Sequence, residues 1–110
     1  MTPETLTSLR TAAGLSRLMR GTVEHGAIAE LAAQMARREG LLADVAADLS
    51  APGGGAAGLT PTDRQALAGM LTEFEAENRL LIDALQERQR QIVRCIAEAE
   101  GHRRLSAYAR

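Results

Sequence analysis

After Pro61 the chain runs to Glu100 without a further proline and with one glycine, Gly69, and its apolar residues recur at spacings of three and four. That pattern predicts one long helix, roughly 60 Å from end to end at 1.5 Å per residue. In a chain of 110 residues such a rod dictates the rest of the fold. Whatever precedes it must lie along it, and any apolar surface left over must be covered by another protein. The stretch AENRLLIDAL, residues 76–85, sharpens the point, because Leu80, Leu81 and Ile82 stand side by side. On a helix three consecutive side chains fan across roughly 200°. One neighbouring helix covers one seam, so the second face needs a second cover.

The preceding half reads as a broken helical arm. TPET at Thr2–Thr5 and TPTD at Thr60–Asp63 each offer threonine as N-cap and proline at the first helical position, where its missing N–H costs nothing. Asp63 adds negative charge at the positive end of the helix dipole. Between the two starts SAPGGGAAG, residues 50–58, cannot hold a helix and predicts a loop over 50–60. Within the first arm Ile28, Leu31, Met35, Leu42, Val45 and Leu49 share a row that gives one slot to Arg38. Leu6, Leu9, Leu15, Leu18 and Met19 do not continue it, which puts a break near GTVEHG. The expected helices are roughly 3–20, 27–49 and 61–100, in one helical domain over 1–110 with a tail at 101–110. Laid end to end, the two halves of the first arm match the long helix in length. This predicts an all-α antiparallel hairpin, a coiled-coil-like bundle with a broken first arm and its turn at Pro52–Gly58. Folding the first half back beside the second gives a compact three-helix bundle instead, and leaves a third or more of the long helix uncovered.

Composition agrees with helices packed in long seams. Aromatic residues make up 2% of the chain, Phe74 and Tyr108, against 45% hydrophobic residues overall, so the core is built from small and straight side chains. A net charge of −1 gives no electrostatic case for nucleic acid or an anionic membrane. The one cysteine, Cys95, cannot close an internal disulfide and is expected as a small buried hydrophobe. No apolar run approaches the roughly 18–20 residues of a membrane span, and the N-terminus lacks the order of a signal peptide, so the cytoplasm is the expected location.

Chemistry-bearing constellations are few. Glu98 and His102, four apart, supply two ligands where zinc normally takes three or four, and His25 is distant. GGGAAG has no lysine and no preceding strand, and reads as a linker rather than a phosphate loop. Glu73, Glu75 and Glu77 read as a solvated face. Accordingly no catalytic residue, metal or cofactor is expected, and the chain is read as a non-enzyme. On the seam Leu67, Leu71, Phe74, Asn78, Leu81, Leu85, Arg88, Ile92, Cys95 and Ala99, Asn78 either fixes register against a partner helix or meets water at a widened point. Arg38 and Arg88 are expected to pack by their stems while their charged heads reach solvent.

A second apolar row on the long helix, Met70, Ile82, Leu85, Val93 and Ile96, has no cover in a two-helix hairpin. Such a row marks a protein-binding surface, and self-association into a four-helix bundle or capture of a foreign helix satisfies it equally. From about Leu6 to Ala99 the order of a helix, a glycine break, a second helix with a charged end, a Pro/Gly loop and a long helix with N-x-x-L-L near its middle resembles the FlgN-type flagellar export chaperones. The stretches that carry the resemblance are VEHGAIAELAAQMARREGLLADV and ENRLLIDALQERQRQIVRCI, with Asn78, Leu81 and Leu85 on the family's most recognisable positions. The resemblance implies a cytoplasmic chaperone that uses no ATP. It would bind hook-filament junction proteins through their C-terminal helices, keep them soluble and hand them to the flagellar type III export apparatus. Members carry a longer, mobile C-terminal segment that takes part in client binding, whereas GHRRLSAYAR follows Glu100 here. The residues expected to meet a client are Ile82, Leu85, Val93, Ile96, Leu105 and Tyr108. Leu105 and Tyr108 are expected to fold over the bound helix from a tail that is loose alone. The competing reading is a structural or regulatory helical dimerisation scaffold without a client.

Overall fold

Three α-helices and one short turn make up the computed structural model, which describes residues 2–52 and 55–108. Helix α1 spans Pro3–His25, α2 spans Ile28–Leu49 and α3 spans Pro61–Tyr108, with a 3-10 turn at Ala56–Gly58 in the loop and no strand among the described residues. Two parts of the expected layout, Gly53 and Gly54 in the loop and residues 109 and 110 of the tail, lie outside the described residues. The all-α bundle is as expected. Its arrangement is the compact three-helix one rather than the end-to-end hairpin, because α1 turns back and packs along α2.

The reversal takes place at one residue. Gly21 stays inside α1, so the helix runs past residue 20, and the chain breaks only at Gly26, which adopts φ 75°, ψ 17°. The Gly26 N–H donates to the Val23 carbonyl and the Ala27 N–H to the Thr22 carbonyl, both at 3.1 Å, the paired bonds that close a helix over a left-handed glycine. A side chain at this φ is strained. The space that a Cβ would take is also tight, since the Arg88 guanidinium lies 3.1 Å from that position and would have to give way. This sets a cation against the negative end of the α1 dipole.

Cross-links fix the directions. Thr5 meets Asp48 and Ser16 meets Arg38, so α2 runs antiparallel to α1. Arg17 reaches Glu77 at 3.1 Å, and Arg88 lies at Gly26, so α3 runs parallel to α1. Helix α1 is the middle member, packed on both others. Its buried set, Thr5, Leu9, Ala12, Ala13, Leu15, Ser16, Met19, Thr22 and Val23, spans roughly half of its circumference. Ala12, Ala13 and Ser16 are nearly inaccessible, and such small side chains let the neighbouring backbones approach closely. Near the top of the bundle Met19, Val23, Leu31 and Leu81 close a core cluster to which Ala84 adds its methyl.

The N-termini of α1 and α3 are capped differently. Thr60 accepts the Asp63 N–H at 3.1 Å, the expected cap. Thr2 stands at the cap position of α1 without capping it by its side chain. Instead Asp48, at the far end of α2, accepts the Thr5 hydroxyl and the Thr2 N–H. The Thr5 hydroxyl, followed by that N–H, holds the Asp48 carboxyl below its ordinary value. A depressed carboxyl contributes stability that is complete above its unfolded value near 3.8 and is lost as pH falls through the lower folded value. Acid titration of the wild type and Asp48→Asn, followed by circular dichroism, should therefore show the two stabilities converging below about pH 4. A constant gap between them across that range would show that this clasp contributes nothing.

The overall extents are 75 × 21 × 19 Å, and α3, 48 residues long, accounts for the long dimension at about 72 Å. It does not end at Glu100. A single glycine inside a helix costs about 1 kcal/mol, too little for Gly101 to stop it, and helix continues to Tyr108.

Candidate protein-docking face

Helices α1 and α2 cover α3 only as far as Arg88, where the Gly26 turn closes their tops. Beyond it, every described residue of α3 from 89 to 108 is exposed, an overhang of about 30 Å. The covered part presents Leu67, Met70, Phe74, Glu77, Asn78, Leu81, Ala84 and Arg88 to the bundle. These fall in one arc around the direction of Leu81 at about 100° per residue. On the same reckoning Ile92, Cys95, Ile96 and Ala99 fall in that arc too. The overhang therefore continues the bundle's internal seam past the point where its partners stop. Those four residues line one shallow open groove with Arg88 and Gln91, and Ile92 and Ile96 are 47% and 54% exposed.

The structure redistributes the expected rows. Met70, assigned to the uncovered row, turns toward the bundle, while Leu71, assigned to the seam, and Leu85, assigned to both rows, are 39% and 38% exposed at its edge. Ile82, Leu85, Val93 and Ile96 share one side of α3, all exposed. Leu105 and Tyr108 do not join them. They are helical rather than a loose tail, and their helical angles aim them roughly opposite to Ile96. Cys95 is exposed on the overhang rather than buried.

Polar residues on the covered stretch do more than escape to water. The Arg38 head turns inward, its Nη1 donating at 3.0 Å to both Ser16 Oγ and Asn78 Oδ1 while its guanidinium lies 5.9 Å from the Phe74 ring centroid. One guanidinium thus ties all three helices at one level, and Asn78 serves as a register mark. Arg88 likewise keeps its Nε buried, with no hydrogen-bond partner. Glu77, read as part of a solvated face, pairs with Arg17 and stands 3.9 Å from Arg20. The large apolar residues advertise the seam in the sequence; what marks its uncovered half is only that α3 outruns α1, which becomes visible once Gly26 is known to reverse the chain.

The groove is open along one side, and among the described residues no group of three or more His, Cys, Asp or Glu side chains converges in a way that would hold a metal. Among the described residues no helix is long and apolar enough to cross a membrane. No family model, no curated protein and no solved structure matches the chain.

Proposed function

We propose that the protein is a cytoplasmic export chaperone of the FlgN type, which holds the C-terminal helices of hook-filament junction proteins in a soluble state for flagellar assembly. The observation that supports the reading is the seam of α3 continuing, uncovered, beyond the three-helix body. A seam built for helix packing is completed by a helix, and the client's amphipathic segment takes the place that α1 vacates at Gly26. The resemblance over about Leu6 to Ala99, with Asn78, Leu81 and Leu85 on the family's most recognisable positions, supports the same reading. Ile92 and Ile96 each have roughly half their surface left to bury, worth about 1 kcal/mol apiece. Micromolar affinity therefore requires the whole stripe rather than one anchor.

Calorimetric titration of the intact protein with the C-terminal segment of a hook-filament junction protein from the same genome tests the proposal. Micromolar or tighter binding is expected. Ile96→Asp should weaken it by tenfold or more, by setting a charge in the stripe, with little change in unfolding midpoint because Ile96 is exposed on the overhang, beyond the covered part of α3. Absence of binding by the intact protein would remove the chaperone reading, and a tight dimer in sedimentation would put a dimerisation scaffold in its place.

A further inference from the structure

The charge along the chain is unevenly divided. Residues 1–88 carry eight arginines against twelve acids, a net −4, whereas residues 89–110 carry five arginines against Glu98 and Glu100, a net +3. Two of the chain's guanidiniums, one at the edge of the overhang and one within it, stand on the groove's own line. Arg88 at the lower end and Arg103 beyond Ala99 both fall inside the arc of Ile92, Cys95, Ile96 and Ala99. They are fifteen positions apart, about 22 Å, and bracket the apolar stripe. Neither forms an ion pair within the chain among the described residues.

Taking the capture of a helix as read, we infer that the groove selects an acidic amphipathic helix. Its apolar row covers Ile92 to Ala99, and a carboxylate at each end of that row, some four turns apart, meets Arg88 and Arg103. The same geometry disfavours a second copy of this chain. Pairing two overhangs antiparallel so that their apolar rows meet sets Ile92 opposite Ala99 and Cys95 opposite Ile96, and this register brings Arg88 opposite Arg103. Parallel pairing sets each arginine opposite its own copy. Either way two guanidiniums face each other at both ends of the contact, between helices that are basic as a whole. Like charges so placed suppress a partner, and opposite charges admit it.

The test uses the full chain and three synthetic amphipathic helical peptides with one shared Leu/Ile/Ala row. They carry Glu, Gln or Lys at the two positions that bracket the row, and binding is read by fluorescence anisotropy at low and moderate salt. The Glu peptide should bind about tenfold more tightly than the Gln peptide and the Lys peptide most weakly, with the differences narrowing as salt rises. Arg103→Glu, an exposed change that leaves the bundle untouched, should lower affinity for the Glu peptide. It should raise affinity for a peptide with Lys at the facing end only. Equal binding of all three peptides would overturn the charge rule while leaving helix capture standing. Failure of all three, together with failure of the junction-protein segment, would overturn capture itself. Reversible dimerisation that is unaffected by Arg103→Glu would show that a second copy is the occupant.

Discussion

Leu81→Asp should cost the bundle about 3 kcal/mol or more, whereas Ile82→Asp, one residue later, should cost about 1 kcal/mol or less. Leu81 is 1% exposed and closes the cluster of Met19, Val23 and Leu31. Replacing it forfeits most of the transfer energy of a buried leucine, about 1.5–3 kcal/mol. It also sets a carboxylate among apolar groups that offer it no hydrogen bond. Protonating the carboxylate limits the penalty without abolishing it, so the loss should ease somewhat toward low pH. Ile82 is 44% exposed, and an aspartate there keeps its water. Denaturant unfolding of both variants, followed by circular dichroism, measures the contrast. For a domain whose whole stability is on the order of 5–15 kcal/mol, Leu81→Asp removes a large share. Equal damage from both substitutions would show that Ile82 packs inside the bundle rather than on the exposed side of α3.

That contrast was visible in the sequence, as were the three helices, the Thr60 cap and the loop after Ser50. What the sequence hid was the packing of α1. The expected break rested on the large apolar residues Leu6, Leu9, Leu15, Leu18 and Met19, which follow no single row. In the folded chain Ala12, Ala13 and Ser16, small residues that admit neighbours on two sides and barely register as hydrophobic, are as deeply buried as Leu9, Leu15 and Met19. A helix sandwiched between two others has no single row to display, so the failure of register was itself the sign of a middle helix. Equal arm lengths then favoured the end-to-end hairpin, because length alone does not reveal that Gly26 reverses the chain. The candidate face followed from the same step. Ile82, Leu85, Val93 and Ile96 were legible as an uncovered side of α3, but Ile92, Cys95 and Ala99 read as seam, and it is the early reversal of α1 that strips them of cover. Leu105 and Tyr108 are helical rather than a loose tail, because a lone glycine at 101 among good helix formers does not stop α3.

The polar level of the bundle carries the second large effect. Asn78→Leu removes one of the two acceptors of the Arg38 guanidinium. It leaves a cation pointed into the bundle with Ser16 and the Phe74 face alone, a loss of about 1–3 kcal/mol. Arg38→Leu should cost less, about 1 kcal/mol, because Ser16 still donates to the Ala12 carbonyl at 3.1 Å and the half-buried Asn78 can turn to water. The double variant should be more stable than the two losses predict when added, with a coupling of at least about 1 kcal/mol in a double-mutant cycle, since an apolar pair leaves nothing unsatisfied. Additive losses would show that Arg38 and Asn78 do not act on each other. Stability regained in the double variant should come with a loss of definition. With leucine at both positions the height of α3 is marked only by the Arg17–Glu77 pair and by Arg88 at the Gly26 turn, and a shift of about three turns sets Ile92, Cys95 and Ala99 where Leu81, Ala84 and Arg88 stood. Such a slide draws the overhang into the bundle and covers the face on which capture depends. The double variant should therefore show broadened or doubled amide resonances together with weakened binding of the client segment, and a single sharp set of resonances with unchanged binding would show that side-chain shape alone holds α3 at its level.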